Sequence, residues 1–174
     1  MAELVVRRAD DRDLPELVRS LGQEHYFTDR VAAQRDGRGV LVAAFLGHVA
    51  VGDVYVRLEA ADEEEVRRRL PGVPLLQHVE VHRAHRRRGI ATRLIQYAEQ
   101  VVREHGRDRV ALGVDPENIV AVRLYRKLEF RDWGHGEVLT TREEHRPDGT
   151  RHPLPEHCHI FVKVFSRVAA EEAW

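Results

Sequence analysis

Apolar positions along the chain follow two spacings, and each predicts an element. Residues 75–82, Leu-Leu-Gln-His-Val-Glu-Val-His, read as a strand. Residues 89–105 read as a helix, with Ala91, Leu94, Ile95, Ala98, Val101 and Val102 near the 3.6-residue period and Gly106 as a stop. Residues 4–9 read as a first strand. Asp10 or Asp11 then caps a helix through Leu14, Leu17, Val18 and Leu21, with Pro15 tolerated in its first turn. Residues 40–46 and 49–58 are β-rich runs around Gly47-His48, a hairpin pattern. Residues 109–114 form another strand. Asp115-Pro116-Glu117-Asn118 opens a helix that carries Ala121, Leu124, Tyr125 and Leu128 on one face. Residues 130–140, with Gly134 and Gly136, and residues 158–165 read as the last strands.

Four stretches have weaker patterns. In residues 22–39 the aromatics Tyr26 and Phe27 precede a short helix over 31–35. Residues 60–70 read as a charged helix, acidic first and basic last, which suits the helix dipole; it is expected to be a solvated insertion. Pro147, Gly149, Pro153 and Pro155 make 141–156 a long loop or hairpin tip, and 166–174 a loose tail. No repeat, low-complexity tract or linker divides the chain, so residues 1–174 are expected to be one domain.

Composition narrows the classes. The 174 residues are 43% hydrophobic and 33% charged, enough for one sizeable core beneath a charged surface. A net charge of −1 gives no general drive toward nucleic acid or membranes, so neither is an expected partner. There is no long apolar run and no secretory leader pattern, and the single Cys158 fits a reducing compartment; the expectation is cytoplasmic.

The basic residues cluster in Arg86-Arg87-Arg88-Gly89-Ile90-Ala91-Thr92, between a strand and a helix N-terminus. The first turn of a helix offers free N–H groups and partial positive charge, and phosphates bind there. Gly89 lets backbone approach a ligand, and the arginines add fork-shaped donors. The alternative is a basic surface turn. On the preceding strand Val79 and Val81 share one face, and His78, Glu80 and His82 the other. Such titratable groups are costly on an inner strand unless they work or reach water. Glu80 is the candidate general base, directly or through water, with His78 as the alternative and an open polar face as the bland explanation. The histidines at 145, 152, 157 and 159 around Cys158 have no compact metal-ligand spacing, so no metal is expected.

R-x-x-G-x-A after a Val-rich strand resembles the coenzyme A signature of the GNAT superfamily of N-acetyltransferases. Downstream, Asn118-Ile-Val-Ala-Val-Arg-Leu-Tyr125-Arg-Lys-Leu-Glu-Phe130 resembles that family's N-x-x-A-x-x-L-Y-x-K-x-G-F stretch, one helix and one strand later. The clear resemblance covers about residues 40–130. It implies one α/β domain around a mixed, mostly antiparallel sheet of about seven strands with flanking helices, splayed at a central parallel pair. It implies acetyl-CoA as co-substrate, with pantetheine along Val79 and Val81, the pyrophosphate on Arg86, Arg87, Arg88, Gly89, Ile90, Ala91 and Thr92, and a bond from Asn118, which otherwise caps a helix. It implies that Tyr125, otherwise a core tyrosine, protonates the departing thiolate. Some relatives place the catalytic carboxylate on the strand where this chain has Gly113, which shifts the base toward Glu80. Glu129 departs from the family's glycine and puts the local helix ending in question.

The resemblance implies acetyl transfer to a primary amine by direct attack. Residues 23–35 and 141–157 are expected to line the acceptor, which is read as a small molecule because no long basic or acidic peptide groove is evident. The alternatives are a protein N-terminal or lysine acetyltransferase, a longer acyl donor, or a coenzyme A-binding module without turnover. A homodimer through the final strand is a further expectation.

Overall fold

The computed structural model describes residues 2–165. Strand β1 (Leu4–Arg8) leads to a 3₁₀ turn, Asp11–Asp13, that Asp10 caps: its carboxylate accepts from Arg12 N, and Asp13 reaches back to the Asp10 N–H. Helix α1 (Leu14–Leu21) follows, then α2 (Glu24–Arg35). The expected short helix at 31–35 is therefore one continuous helix. It follows Gln23 at its N-cap and buries Tyr26, Phe27, Val31 and Ala33. Strands β2 (Gly39–Leu46) and β3 (Val49–Arg57) form the expected hairpin. After α3 (Glu64–Arg69) come β4 (Leu75–Val81), α4 (Ile90–Glu104), β5 (Arg109–Val114) and α5 (Ile119–Lys127). Strands β6 (Arg131–His145) and β7 (Arg151–Val164) close the described chain.

The seven strands form one sheet in the order β1-β2-β3-β4-β5-β7-β6. Every pairing is antiparallel except β4 with β5. That parallel pair registers only at Leu75–Ala111 and Leu76–Leu112, after which the strands part. Just beyond, β4 bulges. Tyr55 lies opposite Gln77 and Asp53 opposite Glu80, so His78 and Val79 together face the single Val54. His78 takes φ 58 to do so. Gly52 permits the close pairing with Val81 beyond the bulge: a Cβ there would lie 2.7 Å from the Glu80 carbonyl.

Helices cover both faces. The larger core sets Leu94, Ile95, Ala98, Val101 and Val102 of α4, with Tyr125 of α5, against inward residues of β2 to β5. On the other face α1 and α2 bury Leu17, Phe27 and Val31 against Leu41, Phe45 and Tyr55. A third cluster corrects the expectation for α3. Val66, with flanking Ala61 and Leu70, packs on Ala111, Val138 and Ile160, so α3 is seated on the sheet and not merely solvated. Residues 141–156 are also more ordered than a loop. Strands β6 and β7 pair out to His145 and Arg151, leaving a five-residue tip. Strand β7 is paired on both sides from His159 to Val162, and from Arg151 to Cys158 with β6 alone. The expected tail at 166–174 lies outside the described residues. Among those described, no helix is long and apolar enough to cross a membrane.

Helix α5 ends in a left-handed turn although Glu129 replaces glycine. Glu129 has φ 72; its N–H donates to the Arg126 carbonyl, and Phe130 N–H donates to the Tyr125 carbonyl at 2.9 Å. The Phe130 ring then packs edge-on against Tyr125, 5.9 Å between centroids. Holding a side chain at this φ costs about 1 kcal/mol. Glu129→Gly is expected to raise unfolding stability by about that amount. Urea denaturation with an unchanged slope is the check.

Candidate active site

The turn between β4 and α4 is built by local bonds. His82 accepts the Ala84 N–H at its Nδ1, 3.1 Å away, and caps a 3₁₀ turn, Arg83–His85. Arg86 folds back so that its Nε donates to the Val81 carbonyl at 3.2 Å. Arg87 and Gly89 take φ 64 and 74, which turns the backbone into the first turn of α4. Nothing lies within 4 Å of a Cβ placed on Gly89, so the φ angle and not crowding selects glycine. Among the described residues Arg86, Arg87 and Arg88 form no ion pair, and all three are exposed. Free helix N–H groups, an open Gly89 and unpaired guanidinium groups together fit an anionic group such as a pyrophosphate. Ile90 is buried in the core, so only its backbone is available there; Ala91 and Thr92 are half-buried.

Asn118 and Tyr125 sit on α5. The Asn118 Oδ1 accepts from Ala121 N at 3.2 Å and so caps the helix, which leaves its NH₂ for another partner. Tyr125 is buried one helical face away. Burial pushes its phenol up to about 12.

The bulge sets His78 against Asp53. Asp53 is fully buried on β3, and its carboxylate lies 3.0 Å from His78 Nδ1. The Tyr26 hydroxyl donates to the same oxygen at 3.4 Å, and the Tyr26 ring stacks on the imidazole at 4.0 Å. The other imidazole nitrogen, Nε2, is 3.0 Å from Gln23 Oε1 and 3.4 Å from Glu80 Oε1. Burial raises the Asp53 pKa against the lowering effect of His78. Burial also opposes charge on His78, but the bond to Asp53 and the attraction of Asp53 and Glu80 outweigh it, and its pKa is raised. Asp53 was not singled out from the sequence. The available signal was one carboxylate within the otherwise apolar run from Val51 to Val56.

These groups meet in a cleft of about 1090 Å³ that opens where β4 and β5 part. Gln77, His78, Val79 and Glu80 line one wall, Leu112 and Gly113 the other, and Tyr125 is reached from the same space. Gly113 contributes no carboxylate. Cys158, bonded to the Thr140 hydroxyl at 3.4 Å, also borders the cleft, and burial raises its thiol pKa. The β6–β7 arm spans the opening: Arg151 pairs with Asp29 of α2. His157 and His159 both turn toward Glu137, the second at 3.1 Å. Among the described residues no group of three or more His, Cys, Asp or Glu is arranged to hold a metal ion.

Residues 6–130 match the family model described as acetyltransferase (GNAT) family. No match is found among curated protein sequences. Solved structures share the fold at low identity. An acetyltransferase of the GNAT family from Streptococcus pneumoniae superposes with TM-score 0.63 at 19% identity, covering 94% of this chain and 100% of that one. The yncA protein of Salmonella typhimurium, solved with its cofactor acetyl-CoA, gives 0.65 at 14%, covering 99% and 100%. The ribosomal-protein-S18-alanine N-acetyltransferase of Escherichia coli gives 0.65 at 16%, covering 99% of each chain. With the family model spanning most of the chain and the sheet splayed beside an anion-ready helix N-terminus, the chain belongs to the acetyltransferase (GNAT) family, as an acyltransferase with acetyl-CoA as its co-substrate.

Proposed function

We propose that the protein transfers the acetyl group to a primary amine of a small molecule by direct attack, with Glu80 taking the amine proton and Tyr125 protonating the departing thiolate. The observation that carries this reading is that both side chains border one cleft, which opens at the β4–β5 gap. Coenzyme A would lie with its pyrophosphate on the Arg86-to-Thr92 turn and its pantetheine along the unpaired edge of β4, near Val79 and Val81, with the Asn118 NH₂ as a further donor. Backbone N–H groups of that edge would polarise the acetyl carbonyl. The arm closed onto α2 by Arg151 and Asp29 supports a small acceptor, because it obstructs passage of a polypeptide along the cleft. The test is release of free thiol from acetyl-CoA across a panel of amines. Tight coenzyme A binding without turnover on any amine would instead make this a binding module.

Tyr125 sits high for an acid. A phenol near 12 facing a thiol of about 8.5 makes full transfer uphill by about 5 kcal/mol even to the finished thiolate. It therefore acts first as a hydrogen-bond donor to the growing thiolate charge, and the proton moves over fully only as the thiol product leaves and a solvent proton reloads the phenol. Such a phenol also keeps its proton across the working pH range.

A second candidate for the base is His78, and Asp53 is the observation that favours it. A buried carboxylate on Nδ1 fixes the ring and leaves Nε2 toward Gln23 and Glu80. Because the folded protein holds the His78 proton more tightly, this part of its stability is complete below the free value of 6.5. It is lost as pH rises through the raised folded value.

Three outcomes are expected. Gly89→Asp, which brings a side chain and a negative charge to the helix N-terminus, should abolish measurable coenzyme A binding by calorimetry while the protein stays folded. Tyr125→Phe should lower turnover by roughly 10²-fold at every pH from about 6 to 9.5 with acetyl-CoA affinity little changed, whereas the defect of Glu80→Gln should shrink at high pH as free amine accumulates. Asp53→Asn should lower the His78 titration midpoint, read by NMR of the imidazole, because burial is then opposed by Glu80 and no longer by Asp53. If the acid limb of the rate profile moves with that midpoint, His78 is the base; if it stays, the base remains Glu80.

A further inference from the structure

The cleft contains a cation that the transfer chemistry does not use. Arg30 projects from α2 into the cleft, its guanidinium 4.4 Å from the Tyr55 ring centroid and 5.3 Å from that of Tyr26. Three other arginines along the wall are neutralised. Arg57 pairs with Asp62 at 3.0 Å, Arg38 with Asp36 at 3.3 Å, and Arg151 with Asp29. Among the described residues Arg30 pairs with no carboxylate, and its Nε is buried without a hydrogen-bond acceptor. It is held by the faces of two rings, whose partial negative charge partly offsets the cost of burial. Gln77, opposite Tyr55 in the ladder, also has its amide oxygen buried without a partner, and it borders the same cleft. A half-buried guanidinium with no counter-ion is an attractive site for a planar anion, worth far more there than in water.

The same cleft has the opposite charge a short way along. Tyr26 carries His78 stacked on its ring, and Glu80 lies 3.4 Å beyond. A cation near one end and a carboxylate near the other match a ligand that bears both signs.

We propose that the acceptor is an amine that also carries a carboxylate, of the amino-acid class, and that Arg30 holds the carboxylate while the amine lies toward His78 and Glu80. This rests on the acetyl-transfer reading for the direction of the amine, but the recognition itself is a binding event and is tested as one.

The experiment is calorimetry on the coenzyme A-loaded protein with α- and ω-amino acids. Each is compared with its carboxamide and with the amine that lacks the carboxyl group. At least one free amino acid should bind tenfold to a hundredfold more tightly than its two neutral-ended counterparts. Arg30→Met, which keeps the packing on Tyr26 and Tyr55, should erase that margin and leave coenzyme A affinity unchanged; Arg30→Lys should keep part of it. The wild-type comparison stands even if a variant fails to fold. Carboxamides or short peptide amides binding as well as the free acids would overturn the proposal, as would a margin that survives in Arg30→Met. Turnover is followed separately by thiol release. Arg30-dependent binding without acetylation would count against the transfer reading and leave the carboxylate site intact.

Discussion

The structure depends on how little β4 and β5 hold in common. Two registered pairs join them, and then each strand follows a different neighbour. Strand β5 is committed along its whole length to β7, from Arg109 opposite Val164 to Val114 opposite His159. Strand β4 is drawn to β3, and the pairing continues past its end where His82 N–H donates to the Val51 carbonyl at 2.7 Å. A parallel ladder of two rungs cannot resist these pulls, so the strands diverge and the sheet opens at its centre. The cleft, the free edge of β4 and the approach to Tyr125 all follow from that opening.

Around the gap, packing fixes the chemistry from both layers. On the α4–α5 side, the left-handed turn at Glu129 brings Phe130 back onto Tyr125, so a strained residue helps aim the phenol. On the α1–α2 side, the bulge rotates His78 onto Asp53 and Tyr26. Neither arrangement is local to one element. The first sets Tyr125 against a ring just past the end of its own helix, and the second sets His78 against groups far away in the chain, which is why substitutions at Phe130 or Tyr26 would disturb the site.

Much of this was legible in the sequence because it rests on periodicity and on turn chemistry. The strand, basic turn and helix from Leu75 to Glu104 read directly, as did α5 with its Asn118 cap. What escaped depends on tertiary context. Helix α2 divides its burial between the sheet and the cleft, so its apolar residues show no single stripe. The charges of α3 masked Val66 and Leu70. Pro153 and Pro155 suggested a loop, yet β7 tolerates them because β5 has ended by His159 and the arm there is an edge, where missing N–H groups cost little. Asp53 looked like one polar residue in a hairpin until the bulge supplied its histidine, and no spacing rule predicts a bulge.

The insertion of β7 between β5 and β6 also constrains the order of assembly. A chain emerging from the ribosome can complete β1 to β4 and dock α4 from contacts among neighbours in sequence. Strand β5 then has only two rungs to β4, and its remaining partner begins at Arg151, after α5 and all of β6. The hairpin β6–β7 must slide its second strand, not its first, against β5. Three of the seven strands are thus committed late in synthesis, and until then β5 presents an unpaired apolar edge, Val110, Ala111 and Leu112, that nascent-chain chaperones are suited to cover.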